Sequence, residues 1–171
     1  MPLLVALLGS YLLGSFPTGF VLVKWLKRVD LRTVGSGNIG ATNVGRVAGR
    51  WASALVFVLD AAKGALVVVV APSLLGSLPP AAGLACGLAA VVGHNFPIFL
   101  NFKGGKGVAT TIGVLLSAAP PAGIIYLAVW AAGLLLSRYV SVSSMAAAAS
   151  IPVVLLALHR SVADILLGLA L

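Results

Sequence analysis

PLLVALLGSYLLGSFPTGFVLV, from Pro2 to Val23, carries no charged side chain. As a helix it would extend about 33 Å at 1.5 Å per residue, enough to cross a hydrocarbon core of about 30 Å. It lacks the positive start of a secretory signal and runs on too far for one, so it reads as a retained first helix. Lys24, Lys27, Arg28, Arg32, Arg46 and Arg50 fill the next segment, where Asp30 is the only acid. Basic residues collect in cytoplasmic loops, which places this segment inside and the N-terminus outside. Residues 52 to 75 then return outward, Gly76 to Pro80 make an uncharged turn, and residues 81 to 100 come back in.

The rest of the chain follows the same pattern. Residues 107 to 137 are interrupted by Pro120 and Pro121, and read either as one long kinked span or as two short ones with an outer turn. Two spans keep Arg138 inside, but the first, roughly Gly107 to Ala118, is only about 18 Å long and requires the loop before it to be recessed into the membrane. Residues 140 to 158 go out, His159 and Arg160 mark an outer turn, and a last apolar run from Ser161 stops at Leu171, too short to span, so a further C-terminal piece is expected.

Composition agrees. Of 171 residues, 61% are hydrophobic and 8% charged, with mean hydropathy +1.16, well outside the range of a soluble domain. The apolar runs lack the polar alternation of an outer-membrane barrel, so backbone groups must be satisfied inside helices. The expected fold is an all-α, polytopic integral membrane helix bundle, one domain over residues 1–171, with about seven transmembrane helices and the last incomplete. Eleven basic against three acidic residues do not indicate nucleic acid, because no soluble segment interleaves basic and aromatic residues; anionic lipid and small anions are the expected partners. The lone Cys86 excludes an intramolecular disulfide. Gly83 and Gly87 have the spacing of close helix packing.

Two loops do not serve spanning. RTVGSGNIGATNVGRVAGR covers Arg32 to Arg50, and FLNFKGGKGVATT covers Phe99 to Thr111. In the first, Gly35, Gly37 and Gly40 permit tight turns and close approach of backbone N–H groups to an anion, while Ser36, Asn38, Thr42 and Asn43 supply hydrogen bonds. The literal GxGxxG is not a dinucleotide fingerprint, since no strand precedes it and Asp60 lies in a span. In the second, Lys103 and Lys106 flank Gly104 and Gly105, and Gly107 precedes a helix start, so backbone donors, a positive helix end and two ammonium groups converge. It is not a Walker loop, because Lys106 is followed by glycine.

Asp60 and Lys63 are three apart on one helix face and read either as a structural ion pair or as a functional one. His94, near the inner end of its span, is either a structural hydrogen-bonding residue or one that orients loop or substrate. Ser141, Ser143 and Ser144 open the sixth span and read first as helix-start and polar-contact residues. The scattered histidines, aspartates and cysteine lack ligand spacing, so neither metal nor cofactor is expected. There is no nucleophile triad, which leaves binding, orientation and electrostatics to carry any chemistry.

At these loops the chain resembles the bacterial acyl-phosphate:glycerol-3-phosphate acyltransferase family (PlsY). GSGNIGATN (Gly35 to Asn43) with Arg46 resembles its first signature, and GHNFPIFLNFKGGKGVAT (Gly93 to Thr110) its second. LDAAKG (Leu59 to Gly64) and RYVSVSS (Arg138 to Ser144) also match. The resemblance implies a multi-pass enzyme of the cytoplasmic membrane whose active site faces the cytoplasm. It would transfer an acyl group from acyl phosphate to the 1-position of sn-glycerol 3-phosphate, giving lysophosphatidic acid and inorganic phosphate, the first acylation of phospholipid synthesis. It implies Ser36, Arg46, Lys106 and Ser144 around the two phosphates as catalytic residues. Gly35, Gly37, Asn38, Gly40, Thr42, Asn43, Lys63, His94, Lys103, Gly104, Gly105, Gly107 and Ser141 would bind substrate or shape the pocket. It leaves room for a soluble acyl-phosphate-producing enzyme at the inner face. The family's third signature, which follows the seventh helix, has no counterpart here. The alternatives are a small organic-phosphate transporter using the same cationic pocket, and a noncatalytic scaffold binding anionic lipid.

Overall fold

Helices form along the apolar runs, and Pro17, Pro97 and Pro120 mark where three of those runs are broken. The computed structural model describes residues 1–74 and 81–171, so the expected turn from Gly76 to Pro80 lies outside the described residues. The first apolar run is split into α1 (Pro2–Ser15) and α2 (Thr18–Lys27), because Pro17 pushes Phe16 to extended φ −62°, ψ 116°. A short 3-10 turn at Leu31–Thr33 leads to α3 (Ala41–Ala48) and then to the long α4 (Arg50–Leu74). The third run is divided in the same way: α5 (Ala82–Asn95) ends just before Pro97, and a 3-10 turn follows at Ile98–Leu100.

The choice left open between Gly107 and Ser137 resolves into two helices, α6 (Val108–Ala118) and α7 (Pro120–Ser137). Ala119 (φ −149°, ψ 77°) breaks them, and both prolines stand in the first turn of α7, where no amide donor is missed. The chain continues through α8 (Val140–Ala157) and α9 (Val162–Leu169). Among the described residues there is no strand. Five elements have the length and apolarity of a membrane span: Pro2–Lys27, Arg50–Ser73, Ala82–Leu100, Pro120–Ser137 and Val140–Ala157. The expectation of about seven therefore becomes these five with the shorter α6 and α9.

The bundle is apolar outside as well as inside. Leu135, Leu136, Val153, Val58 and Val69 are each more than half exposed, a surface that suits lipid and would associate in water. Without a hydrophobic force between helices in lipid, contact depends on close backbone approach at small residues. Gly14 lies on the Ala90 backbone, Gly64 on the carbonyl of Thr110, and Gly113 on the carbonyl of Ala61. The Gly83 and Gly87 pair serves two partners, Val68 of α4 and Val114 of α6. A Cβ at Gly113 would collide with main chain rather than with a movable side chain, so Gly113→Ala is expected to cost about 1–3 kcal/mol. A thermal midpoint in detergent equal to the parent's would show that α4 and α6 can separate freely.

These contacts also set depth. Thr110, in the first turn of α6, meets Gly64, which stands fourteen residues into α4, or about 21 Å along it. The loop that precedes α6 is therefore sunk well below the start of α4. The buried side chains form three clusters. One joins α1, α4, α5 and α6, another α6, α7 and α8, and a third packs Leu100 of the second loop with Ile39 and Val44 of the first.

Candidate active site

The first loop is organised by one side chain. Asn43, 1% exposed, shares its two Nδ2 protons among the carbonyls of Asn38 (2.9 Å), Val34 (3.0 Å) and Leu31 (3.3 Å), and accepts at Oδ1 from the Ser36 amide (2.9 Å). Gly35 has φ +61°, and a Cβ there would strike Asn43 Oδ1, so glycine is required both for the turn and for the space. Asn38 caps the next turn, its Oδ1 accepting from the Gly40 amide at 2.8 Å. Gly37 is also left-handed, at φ +71°. Gly40 is the N-cap of α3, Thr42 is exposed in its first turn, and Arg46 stands exposed in its last. Ser36 is exposed, and its hydroxyl makes no hydrogen bond among the described residues.

Asn43→Asp keeps the acceptor for Ser36 but turns an oxygen toward three carbonyls. It is expected to destabilise the protein by about 3 kcal/mol or more, read as a lowered denaturation midpoint with faster proteolysis between residues 31 and 40. At the rim of this loop the guanidinium of Arg32, hydrogen-bonded to Asp30 (2.7 Å), holds the Asp30 carboxyl down at about 2, and the carboxylate in turn raises the Arg32 pKa. A depressed carboxyl contributes above its unfolded value and is lost as pH falls through its folded value. The clasp is accordingly intact at every pH above about 4 and opens toward about 2.

The second loop is seated on α5. The Gly105 amide donates to the His94 carbonyl (3.0 Å), the Phe102 amide to Pro97 O (2.9 Å) and the Lys103 amide to Leu100 O (3.2 Å). Asn101 and Phe102 are both left-handed, φ 54° and 61°, which costs an ordinary residue about 1–2 kcal/mol. Backbone held in this way concentrates at functional sites. Gly104 packs on the carbonyls of His94 and Asn95, and Gly105 on the His94 ring. Gly107, φ +73°, caps α6, so the loop ends on the free amides of a helix start. Lys103 and Lys106 are exposed, and Lys106 Nζ reaches Ser141 Oγ of α8 at 3.3 Å. Ser144, one turn further on, donates to Val140 O and accepts from Trp130 Nε1 at 3.3 Å. Of these two serines, only Ser141 meets the loop.

Beneath the loop lies a charged floor. Asp60, Lys63 and His94 are 2%, 7% and 5% exposed. Lys63 Nζ contacts Asp60 Oδ1 (2.8 Å), Phe16 O (3.2 Å) and His94 Nδ1 (3.0 Å), and Thr18 Oγ1 donates to Asp60 Oδ1 (3.1 Å). Sequence reading paired Asp60 with Lys63 but missed Thr18 and the Phe16 carbonyl. The signal lay in Pro17, which opens the first helix and frees main-chain polar groups within an apolar run. Among the described residues no three His, Cys, Asp or Glu side chains stand together in a way that could hold a metal ion.

A family model described as glycerol-3-phosphate acyltransferase matches residues 4–171. The glycerol-3-phosphate acyltransferase of Myxococcus xanthus (strain DK1622) is 53% identical over 146 residues, 85% of this chain and 75% of that protein. That of Prochlorococcus marinus (strain MIT 9211) is 49% identical over 146 residues, 85% and 70% of the two chains. Among solved structures, the glycerol 3-phosphate form of PlsY, an integral membrane glycerol 3-phosphate acyltransferase, superposes with TM-score 0.88 at 40% identity, covering 99% of this chain and 86% of that one. Its lysophosphatidic acid form gives 0.86 at 38%, with the same coverage.

Proposed function

The chain belongs to the glycerol-3-phosphate acyltransferase family and is an integral membrane enzyme of that activity; on that premise we propose that its acyl donor is an acyl phosphate and that the two glycine-rich loops hold the two phosphates. Glycerol 3-phosphate is the acceptor and lysophosphatidic acid the product, as the bound forms of the PlsY neighbour support. The transporter and scaffold alternatives fall with the family assignment.

The observation that carries the donor assignment is the sunken FKGGKG loop, with glycine backbone, the start of α6 and Lys106 next to Ser141. Small residues and fixed cations at a low-dielectric boundary suit a phosphate leaving group. In this reading the glycerol phosphate hydroxyl attacks the acyl carbonyl directly. The new ester C–O bond forms, the carbonyl–phosphate C–O bond breaks, and inorganic phosphate leaves. Arg46 and Lys106 offset the charge that develops, with Ser36 as a hydroxyl donor and Ser144 joining it when its hydroxyl turns from the Val140 carbonyl it now donates to. Gly35, Gly37, Asn38, Gly40, Thr42 and Asn43 shape the first cradle, and Lys103, Gly104, Gly105, Gly107 and Ser141 the second. The hydroxyl proton passes to a substrate phosphate oxygen. Asp60, buried under the loop, already accepts from Thr18 and Lys63 and is not free to serve as base.

The membrane is the cytoplasmic one, with both loops inside and the N-terminus outside, and a soluble enzyme supplies the acyl phosphate at the inner face. The test is phosphate release from palmitoyl phosphate by purified protein, with detection of lysophosphatidic acid, compared with palmitoyl-CoA as donor. Release that depends on glycerol 3-phosphate and matches product is expected. Equal product from the thioester would overturn the donor assignment. Cysteines introduced at Val34 and His159 should label from opposite sides of the membrane.

A further inference from the structure

The buried charges under the second loop are not spent on spanning, and their geometry is specific. An ammonium group has three protons, and Lys63 has three acceptors: Asp60 Oδ1 at 2.8 Å, Phe16 O at 3.2 Å and His94 Nδ1 at 3.0 Å. His94 Nδ1 stands 3.7 Å from Asp60 Oδ1, beyond hydrogen-bond reach. Lys63 is therefore the donor and Nδ1 the acceptor, which leaves the ring proton on Nε2. That Nε2 edge lies against Gly105, where a Cβ would overlap it, while the His94 carbonyl accepts the Gly105 amide at 3.0 Å. His94 thus touches the same glycine by ring and by main chain.

We propose that Asp60 and Lys63 are positioning residues, which hold His94 as its Nε2–H tautomer so that the imidazole carries Gly105 and sets the turn presenting Lys106 and the loop amides to phosphate. The proposal rests on the assignment of the FKGGKG loop to phosphate binding. It explains why a lysine is kept in a span despite the cost of placing an ammonium group there. It also explains why α1 is broken at Pro17, since the break exposes the Phe16 carbonyl as the third acceptor. Thr18, the first residue of α2, completes Asp60. The network thereby ties α1, α2, α4 and α5 to one turn of loop.

Two measurements test it on the intact chain in micelles. Long-range 15N–1H spectra of 15N-histidine protein, with His159→Gln to assign the second ring, should show His94 with a bare Nδ1 and a protonated Nε2. The opposite tautomer or an imidazolium overturns the proposal, and this reading is independent of any activity. For kinetics, Asp60→Leu with Lys63→Met removes both charges together, so neither is stranded. The KM for glycerol 3-phosphate or acyl phosphate should rise about tenfold or more with a smaller change in kcat. His94→Asn, which leaves Lys63 an acceptor but withdraws the ring from Gly105, should show the same split even if the double variant fails to fold. A KM within about twofold of the parent in folded His94→Asn would reduce the network to scaffolding. Loss of all acyl transfer by the parent protein would instead count against the phosphate assignment, with the spectrum still deciding the tautomer.

Discussion

Arg46→Ala is expected to lower kcat/KM for acyl transfer by about 10² to 10³, which corresponds to about 2.7–4 kcal/mol of lost transition-state stabilisation, while leaving the bundle folded. The two effects separate because of where the residue sits. Arg46 is exposed in the last turn of α3 and makes no hydrogen bond or ion pair among the described residues, in contrast to Arg32, which is clasped by Asp30 and lies over the Phe20 ring at 5.2 Å. A surface residue without such partners changes stability by no more than about 0.5 kcal/mol. Arg46→Lys should recover only part of the rate, since an ammonium supplies the charge but not the planar fork that grips two phosphate oxygens. Near-normal turnover by folded Arg46→Ala would remove this residue from the site.

Lys106→Met should have an effect of similar size, for a related reason. The methionine keeps most of the apolar stem while removing the charge and the 3.3 Å contact to Ser141. Ser141→Ala is the control. It deletes only the hydroxyl partner and is expected to cost about 0.5–1.5 kcal/mol, the net worth of one hydrogen bond. If Arg46 and Lys106 act on one developing charge, the Arg46→Ala, Lys106→Met double variant will lose less than the product of the single losses. Simple multiplication of the two would mean that they serve separate phosphates or separate steps. Lys103→Met, which removes an exposed neighbour without a side-chain partner among the described residues, should fall well short of Lys106→Met.

Much of this is written in the sequence. Apolar length specifies helices, Pro17, Pro97 and Pro120 specify three of the breaks between them, and small and amide residues in two loops make those loops the candidates for an anion site. The reading of Gly107 to Ala118 as a short span behind a recessed loop came from arithmetic alone, and α6 at Val108–Ala118 has that length. Other features escaped because they depend on residues far apart in the chain. Asn43 is expected to bind substrate or shape the pocket, and what the sequence does not show is that its amide holds four main-chain groups of its own loop. Ser144 is expected near the phosphates; its hydroxyl here bonds Val140 and Trp130, and Ser141 is the serine beside Lys106. Of the about seven helices expected, five have full spanning length among the described residues, two of them broken at Pro17 and Pro97, and α6 and α9 are shorter.

Apolar composition alone commits this chain to a bilayer as helices, since burial of backbone in hydrocarbon leaves no other solution for such runs, and it singles out the two glycine-rich loops as the candidates for phosphate binding. What lies beneath the second loop emerges only in three dimensions. His94, Lys63, Asp60, Thr18 and the Phe16 carbonyl are spread over nearly eighty positions of sequence and meet within hydrogen-bond distance. No local pattern encodes that meeting. It follows from two helices broken by Pro17 and Pro97 and from glycines that let backbones approach one another.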